Sequence, residues 1–195
     1  VSTRLALFIG SCAVMIAGVS ALGLWGMSSS NDALRTVNAD RVVPLEQLAD
    51  IARHQTGTET AIEAALIDGK PEALQKAVAK ASSNKAEIDK LWAAYRATAM
   101  TPEEEKLAQG WEAARTRYCS DGIEPTLAAV TAGNLEAARR LAADKMAPGY
   151  AQVEAAMEAL SALQVKVAAE EYAAATAHYA QIRNIMLSAV ALGLA

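Results

Sequence analysis

The stretch LALFIGSCAVMIAGVSALGLWGM, residues Leu5–Met27, contains 23 residues and no charged side chain. A helix of this length rises by about 34 Å, and the hydrocarbon core of a bilayer is about 30 Å thick. Arg4 precedes the stretch, and Trp25 lies near its far end, where indole rings settle at the membrane interface. We therefore predict a first transmembrane helix at residues 5–27.

A secretory signal peptide is an alternative for the same stretch. Arg4 would supply its basic start, residues 5–17 its apolar core and Val19-Ser20-Ala21 its cleavage site. A buried helix of a soluble protein is a third reading. We favour the membrane helix because the apolar run continues to Met27 and a second apolar run, residues 185–195, follows much later. That second run is too short to span a bilayer, so we read it as the start of a second membrane helix.

Residues 28–184 then form a polar domain whose two ends lie on the same face of the membrane. The sequence is 53% hydrophobic but only 5% aromatic, because alanine supplies much of the total, and alanine favours helix. A net charge of −4 argues against nucleic acid as a partner, since phosphate binding needs a basic surface. The two cysteines, Cys12 and Cys119, do not suggest a disulfide scaffold, and we expect Cys119 to line the core.

Apolar positions recur every three or four residues throughout this domain, which predicts helices and no strands. We predict a first helix over 33–68 with a kink at Pro44 and a second over 72–98. A third helix begins after Thr101, and a fourth begins near Leu135 and continues into the last apolar run. The predicted fold is all-α: an antiparallel up-down-up-down four-helix bundle flanked by transmembrane helices, the second of them truncated.

Turn and cap residues separate these helices. Gly69 and Pro71 end the first helix and open the second, and Thr101-Pro102-Glu103-Glu104 is an N-terminal cap. Gly133-Asn134 predicts a turn before the fourth helix. Bends without a stop are predicted at two further places, Gly122 with Pro125 and Pro148-Gly149.

The first helix carries an unusual polar block at residues 53–60. Gln55 and Glu59 fall where the helix seam should be apolar, and a buried polar group without a partner costs about 1–3 kcal/mol. One interpretation is a ligand pocket or a polar contact across a dimer. The other is a device that fixes the register of the bundle, or a solvated face.

Cations cluster towards one end of the predicted bundle, where arginine and neutral donors together could hold a carboxylate. The candidate ligand-binding residues are Arg53, Thr56, Thr60, Arg139, Arg140, Lys145 and Tyr150. A second candidate is a pocket beside Arg115 and Tyr118. Ordinary solvated basic faces remain the alternative for both sets.

No pattern in the sequence favours catalysis. His54 and His178 lie far apart, and we find no Gly-rich phosphate loop, metal-ligand spacing or nucleophile elbow. The pair Glu170-Glu171 is interpreted as solvated. We therefore predict no enzymatic activity, no metal and no cofactor.

Five blocks of sequence occur in an order that resembles a known family. The blocks are a membrane helix, LRTVNADRVVPLEQLADI (Leu34–Ile51), DKLWAAYRATAMTPEEEKLA (Asp89–Ala108), AGNLEAARRL (Ala132–Leu141) and KMAPGY (Lys145–Tyr150), before a second membrane helix. The chain resembles the periplasmic four-helix-bundle sensor region of methyl-accepting chemotaxis receptors, the class that includes the bacterial aspartate and serine receptors.

The resemblance implies a homodimeric receptor in the bacterial inner membrane, with its sensor domain in the periplasm and a small-molecule ligand near the membrane-distal end. Signals would pass through the fourth helix and the second membrane helix to a cytoplasmic signalling domain that this chain does not contain. The arginines that grip aspartate in the family correspond here to Gln55, Thr60 and Ala64, and two polar fourth-helix positions to Ala147 and Gly149. None of these positions is basic, so the resemblance implies the fold and the sensor role but not aspartate as the ligand. The cations named above lead us to expect a small organic anion, a di- or tricarboxylate or an amino acid. Two alternatives remain for the function. The chain could be the sensor region of a histidine kinase or cyclase, or a membrane-anchored structural bundle without a ligand.

Overall fold

The computed structural model describes the backbone of residues 2–37 and 41–194. All regular structure in these ranges is helical, which confirms the predicted all-α class. The α-helices are α1 (Ser2–Val37), α2 (Val43–Asp68), α3 (Pro71–Arg96), α4 (Pro102–Arg117), α5 (Glu124–Thr131), α6 (Leu135–Leu141) and α7 (Ala147–Leu194). Three stretches of the described residues have π-helical winding: residues 41–42 directly before α2, π1 (Tyr118–Ile123), which joins α4 to α5, and π2 (Ala142–Met146), which joins α6 to α7.

The hairpin of α2 and α3 follows its turn residues. Gly69 adopts φ 69°, a left-handed conformation that glycine takes without a steric penalty, and its N–H donates to Ala65 O. Pro71 opens α3, as predicted. Pro44 lies in the first turn of α2, directly after residues 41 and 42, which are themselves helical with π-type winding. The structure does not describe residues 38–40, so the kink predicted at Pro44 stays a prediction.

The predicted cap of the third helix is confirmed. The hydroxyl of Thr101 accepts from the N–H of Glu104, and the Glu104 carboxylate accepts from the N–H of Thr101, which forms a capping box. Beyond α4 the chain stays helical through π1 and α5, so the residues around Gly122 change the winding without stopping the helix.

The second half of the bundle begins at the predicted turn. Gly133 has φ 73°, and the side chain of Asn134 accepts from Ala137 N at the start of α6. The irregularity expected at Pro148-Gly149 lies earlier in the chain, at π2, and Pro148 takes the first turn of α7, where proline is tolerated.

Residues 42–166 form one compact unit, and their contacts arrange it as an antiparallel four-helix bundle. The pairs that join neighbouring helices are His54–Asn84 (α2–α3), Trp92–Glu112 (α3–α4), Glu104–Gln164 (α4–α7) and Thr56–Tyr150 (α2–α7). Gln164 contacts the start of α4, whereas Gly149 lies against Tyr118 beyond its end, so α4 and α7 run in opposite directions. Leu48, Trp111 and Leu160 are fully buried in the core between the helices.

The second unit contains residues 1–41 and 167–195. Glu170 is exposed, whereas the partly exposed Glu171 forms an ion pair of 2.9 Å with the buried Arg41, a partner that the sequence did not predict. Among the residues that the structure describes, no helix combines the length and the hydropathy that a membrane crossing requires. The two membrane helices predicted from the sequence are thus not confirmed.

Candidate functional site

The polar block of α2 is buried in the bundle. Gln55 is 4% exposed, Thr58 4% and Glu59 7%, which confirms that polar groups occupy the seam. His54 and Thr58 are joined to α3 by Asn84, whose Nδ2 donates to the carbonyl of His54 and to the hydroxyl of Thr58, both at 3.0 Å. These hydrogen bonds hold α2 against α3.

Glu59 has a neutral partner. The hydroxyl of Tyr118, which is 3% exposed, donates to Glu59 Oε2 at 2.5 Å. Burial raises the pKa of Glu59; the hydrogen bond from Tyr118 opposes this effect, and the charge of Glu63 adds to it. Burial and the neighbouring carboxylate also raise the pKa of Tyr118, so the phenol keeps its proton.

Two predicted ligand residues meet on the surface beside this pair. The hydroxyl groups of Thr56, on α2, and Tyr150, on α7, lie 2.8 Å apart. The ring of Tyr150 lies 6.1 Å from that of Tyr118, and burial raises the pKa of the Tyr150 phenol. Thr60 is exposed one turn further along α2.

The predicted distal cations do not converge on a single point. Arg53 is exposed and pairs with Asp50 at 2.9 Å, and Arg140 pairs with Glu136 at 3.3 Å. Arg139 instead donates from Nε and Nη2 to the carbonyl of Leu66 at 3.1 and 2.9 Å, which covers the C-terminal end of α2. Lys145 is exposed within π2.

A cavity of about 220 Å³ lies between α2, α3 and the segment from α4 to α5, and it is open to solvent where the exposed residues Ser82, Lys85 and Glu124 line it. It brings together Arg115 and Tyr118, the second pair predicted from the sequence, together with the buried Gln55. Its lining residues are Gln55, Thr58, Val78, Ala81, Ser82, Lys85, Ile88, Arg115, Tyr118, Cys119, Ile123, Glu124 and Leu127. Most of these surfaces are apolar, as in ligand pockets generally.

Charged side chains stand at one side of the cavity. Arg115 donates to Asp89 at 2.6 Å, and its guanidinium lies 5.5 Å from the ring centroid of Trp111. Lys85 reaches the other oxygen of Asp89 at 3.4 Å. Burial acts to raise the pKa of Asp89, but the hydrogen bond and charge of Arg115, with help from Lys85, lower the pKa overall. The carboxylate therefore stays ionised between two cations.

Lys85 lines the cavity and was not predicted from the sequence. The signal was its spacing, because it follows Ala81 by four residues and precedes Ile88 by three, which places it beside the apolar stripe of α3. Cys119 is a free thiol that lines the cavity, as expected of a core-lining cysteine, and burial raises its pKa.

Three buried polar atoms have no hydrogen-bond partner in the described part of the chain: Gln47 Oε1, Gln55 Nε2 and Trp111 Nε1. Gln55 lines the 220 Å³ cavity, and Trp111 lines an adjoining one that shares Lys85 and Arg115 with it. Native proteins rarely leave such groups unsatisfied, and each one calls for an explanation. No group of acidic, His or Cys side chains that could hold a metal ion occurs among the described residues.

The helical bundle thus carries a largely apolar cavity lined by a few polar side chains, a composition found in ligand pockets. The family model described as Tar ligand binding domain homologue matches residues 1–168. The chain belongs to this family, the periplasmic sensor regions of aspartate-type chemoreceptors, and the resemblance seen in the sequence is confirmed. Neither the comparison with curated proteins nor the comparison with solved structures found a match.

Proposed function

We propose that this chain is the sensor region of a homodimeric chemoreceptor of the bacterial inner membrane, and that it binds a small organic anion in the periplasm. The observation that carries the proposal is its membership in a family of ligand-binding domains. Apolar side chains along α1, among them Leu7, Val14 and Met27, are each more than 70% exposed, which is consistent with a nonpolar environment for that helix.

The exposed face of α2 supports an anionic ligand. Arg53, Thr56 and Thr60 lie one turn apart along it, and Tyr150 adds a hydroxyl from α7. The Arg53–Asp50 pair is exposed and therefore worth little, so the guanidinium can exchange Asp50 for a ligand carboxylate. Arginine offers paired donors in one plane, and hydroxyl groups supply neutral donors beside it.

The same face supports a homodimer. Ile67, 84% exposed, continues the row of Arg53, Thr56 and Thr60 towards the end of α2. A large exposed aliphatic side chain in line with hydrogen-bonding groups fits an interface at which a second copy closes the ligand site.

Signalling through the last helix follows from its continuity. Tyr150 stands in the first turns of α7, which continues to Leu194 without a break. Interface helices in switches commonly shift by about 1–2 Å, and a continuous helix passes such a shift along its length. A ligand that draws Tyr150 towards α2 would therefore displace α7.

Calorimetry and thermal unfolding of the full chain test the proposal. We expect at least one acid from a panel of di- and tricarboxylates, monocarboxylates and amino acids to raise the unfolding temperature by about 5–10 °C at 100 times its Kd, because it binds only the folded state. The corresponding amides and neutral sugars are controls. A panel in which no acid binds would support the ligand-free bundle and contradict the proposal.

The variant Arg53→Ala should weaken binding of a di- or tricarboxylate by about 10- to 150-fold, the value of a charge-assisted contact. Lys70→Ala is the matched control, since Lys70 is an exposed cation in the α2–α3 turn, away from this face. Equal losses of affinity in both variants would indicate that the positive charge attracts the ligand at long range, without a direct contact from Arg53.

A further inference from the structure

We propose that the 220 Å³ cavity between α2, α3 and the α4–α5 segment is a binding site for a monocarboxylate with a compact apolar body, such as a single six-membered ring. The inference goes beyond the proposed function, because it adds a second organic-acid site that lies within one subunit and apart from the exposed face of α2.

The volume and the walls select the body of the ligand. A cavity of about 150 Å³ in another protein takes up benzene, so 220 Å³ holds a ring with a small polar substituent. Val78, Ile88, Ile123 and Leu127 line it with aliphatic surface. Burial of an apolar body there removes it from water, which is favourable in proportion to the apolar area buried.

The charged side of the cavity selects the carboxylate. Arg115 and Lys85 both contact the carboxylate of Asp89, and a second carboxylate, Glu124, also lines the cavity. The guanidinium has five N–H donors and the ammonium three, so both keep donors beyond their bonds to Asp89. A ligand carboxylate fits this surplus of donors.

Gln55 supplies a contact for the rest of the ligand. It stands on α2, whereas Arg115 and Lys85 belong to α4 and α3, and its buried Nε2 has no partner among the described residues. Rotation of the terminal amide turns this donor towards the cavity, where a hydroxyl or carbonyl oxygen on the ring would accept from it. The indole N–H of Trp111 in the adjoining cavity is a second donor without a partner in the described part of the chain.

Two carboxylates restrict the ligand to a single negative charge. Asp89 lies between the cations, and Glu124 lines both the 220 Å³ cavity and the adjoining one. A second carboxylate on the ligand would meet these like charges or the aliphatic wall, and both are unfavourable. Di- and tricarboxylates are therefore excluded from this site.

The first test measures binding of 4-hydroxybenzoate, benzoate, benzamide, succinate and citrate to the full chain, by calorimetry and tryptophan fluorescence. We expect 4-hydroxybenzoate to bind most tightly and benzoate more weakly, because benzoate lacks the oxygen for Gln55. Benzamide and citrate should not bind at this site. Because Arg115 lies over Trp111, binding should change the indole emission.

The decisive variant is Gln55→Leu, with Gln47→Leu as its matched control. Both remove a buried amide with an unpartnered atom from α2, so both should raise the unfolding temperature of the ligand-free chain by about 2–4 °C. Only Gln55→Leu should weaken the binding of 4-hydroxybenzoate, by about three- to tenfold, and it should leave the affinity for benzoate unchanged. Equal affinity in both variants would overturn the role of Gln55.

A second pair of variants tests the carboxylate contact. Lys85→Gln should weaken the binding of benzoate about tenfold. Lys90→Gln, which replaces an exposed lysine further along α3, should leave this affinity unchanged. Arg115→Gln should abolish binding, with Arg117→Gln as its control. If ring monocarboxylates do not bind while citrate binds through Arg53, the proposed function holds and this inference fails; if no acid binds at all, both fail.

Discussion

At the scale of single residues, Glu59 is a carboxylic acid in the seam of the bundle that is paired with a phenol, Tyr118. Its pKa is raised above the ordinary value of 4.5, so the folded chain keeps a proton at pH values where the unfolded chain has released it. The folded state then binds more protons than the unfolded state, and the free energy of unfolding falls as the pH rises above about 4.5. This loss continues until the pH passes the raised pKa of the folded state.

We predict that Glu59→Gln raises the free energy of unfolding at pH 7 and removes this part of its pH dependence. Glutamine keeps an oxygen that accepts from Tyr118 but carries no charge to desolvate. Urea unfolding at pH 5 and pH 8 measures both effects, with the exposed Glu158→Gln as control. An unchanged difference between the two pH values in Glu59→Gln would contradict the assignment.

Arg139 shows how a candidate ligand residue can have a structural role. Its two N–H groups bond the carbonyl of Leu66 at the end of α2, where cations also favour the helix dipole. We predict that Arg139→Met lowers stability by about 1 kcal/mol, whereas Arg140→Met, which loses an exposed pair with Glu136, changes it by less than about 0.5 kcal/mol. Thermal unfolding of the two variants compares them, and equal values would mean that the bonds to Leu66 contribute nothing.

At the scale of elements, helix ends could be predicted from the sequence because local chemistry determines them. Thr101 and Glu104 form their cap within one turn, and Gly69 and Gly133 take the left-handed conformation that their turns require. The π-helical segments could not be predicted, since they depend on the packing of residues far apart in the sequence: Gly122 in π1 lies against the backbone of Met146 in π2.

For the candidate site, the sequence predicted part of what the structure shows. Gln55 and Glu59 interrupt the apolar periodicity, and both are buried as their seam positions predicted, but only Gln55 lines the cavity. Lys85 was missed because its partners, Asp89 and Arg115, come together only when α3 packs against α4.

The close contact between π1 and π2 gives a prediction with an internal control. A Cβ added at Gly122 would lie 2.9 Å from Met146 Cα, so Gly122→Ala must shift the backbone and should cost about 1–3 kcal/mol. Gly110 lies inside α4 with open space around it, so Gly110→Ala should stabilise the chain by about 0.5–1 kcal/mol. Denaturant unfolding should give effects of opposite sign, and effects of the same sign would contradict this packing of the π-segments.

At the scale of the whole molecule, the proposed homodimer requires two copies that meet along α2. In a background of Cys12→Ser and Cys119→Ser, single cysteines at Thr56, Thr60 and Ile67 should form disulfide-linked dimers on mild oxidation. A cysteine at the exposed Ala86, on α3, should not. Crosslinking of Ala86 at the same rate as the α2 positions would place the interface elsewhere.

The claim that ligand binding in this bundle controls a signal is tested most directly by kinase activity. The chain can be joined through α7 to the cytoplasmic part of a chemotaxis receptor and assembled in membrane vesicles with its kinase. We predict that an acid that binds the isolated chain changes the phosphorylation rate, with half-maximal effect near its Kd. An acid that saturates the assembled receptor and leaves the phosphorylation rate unchanged would contradict the account.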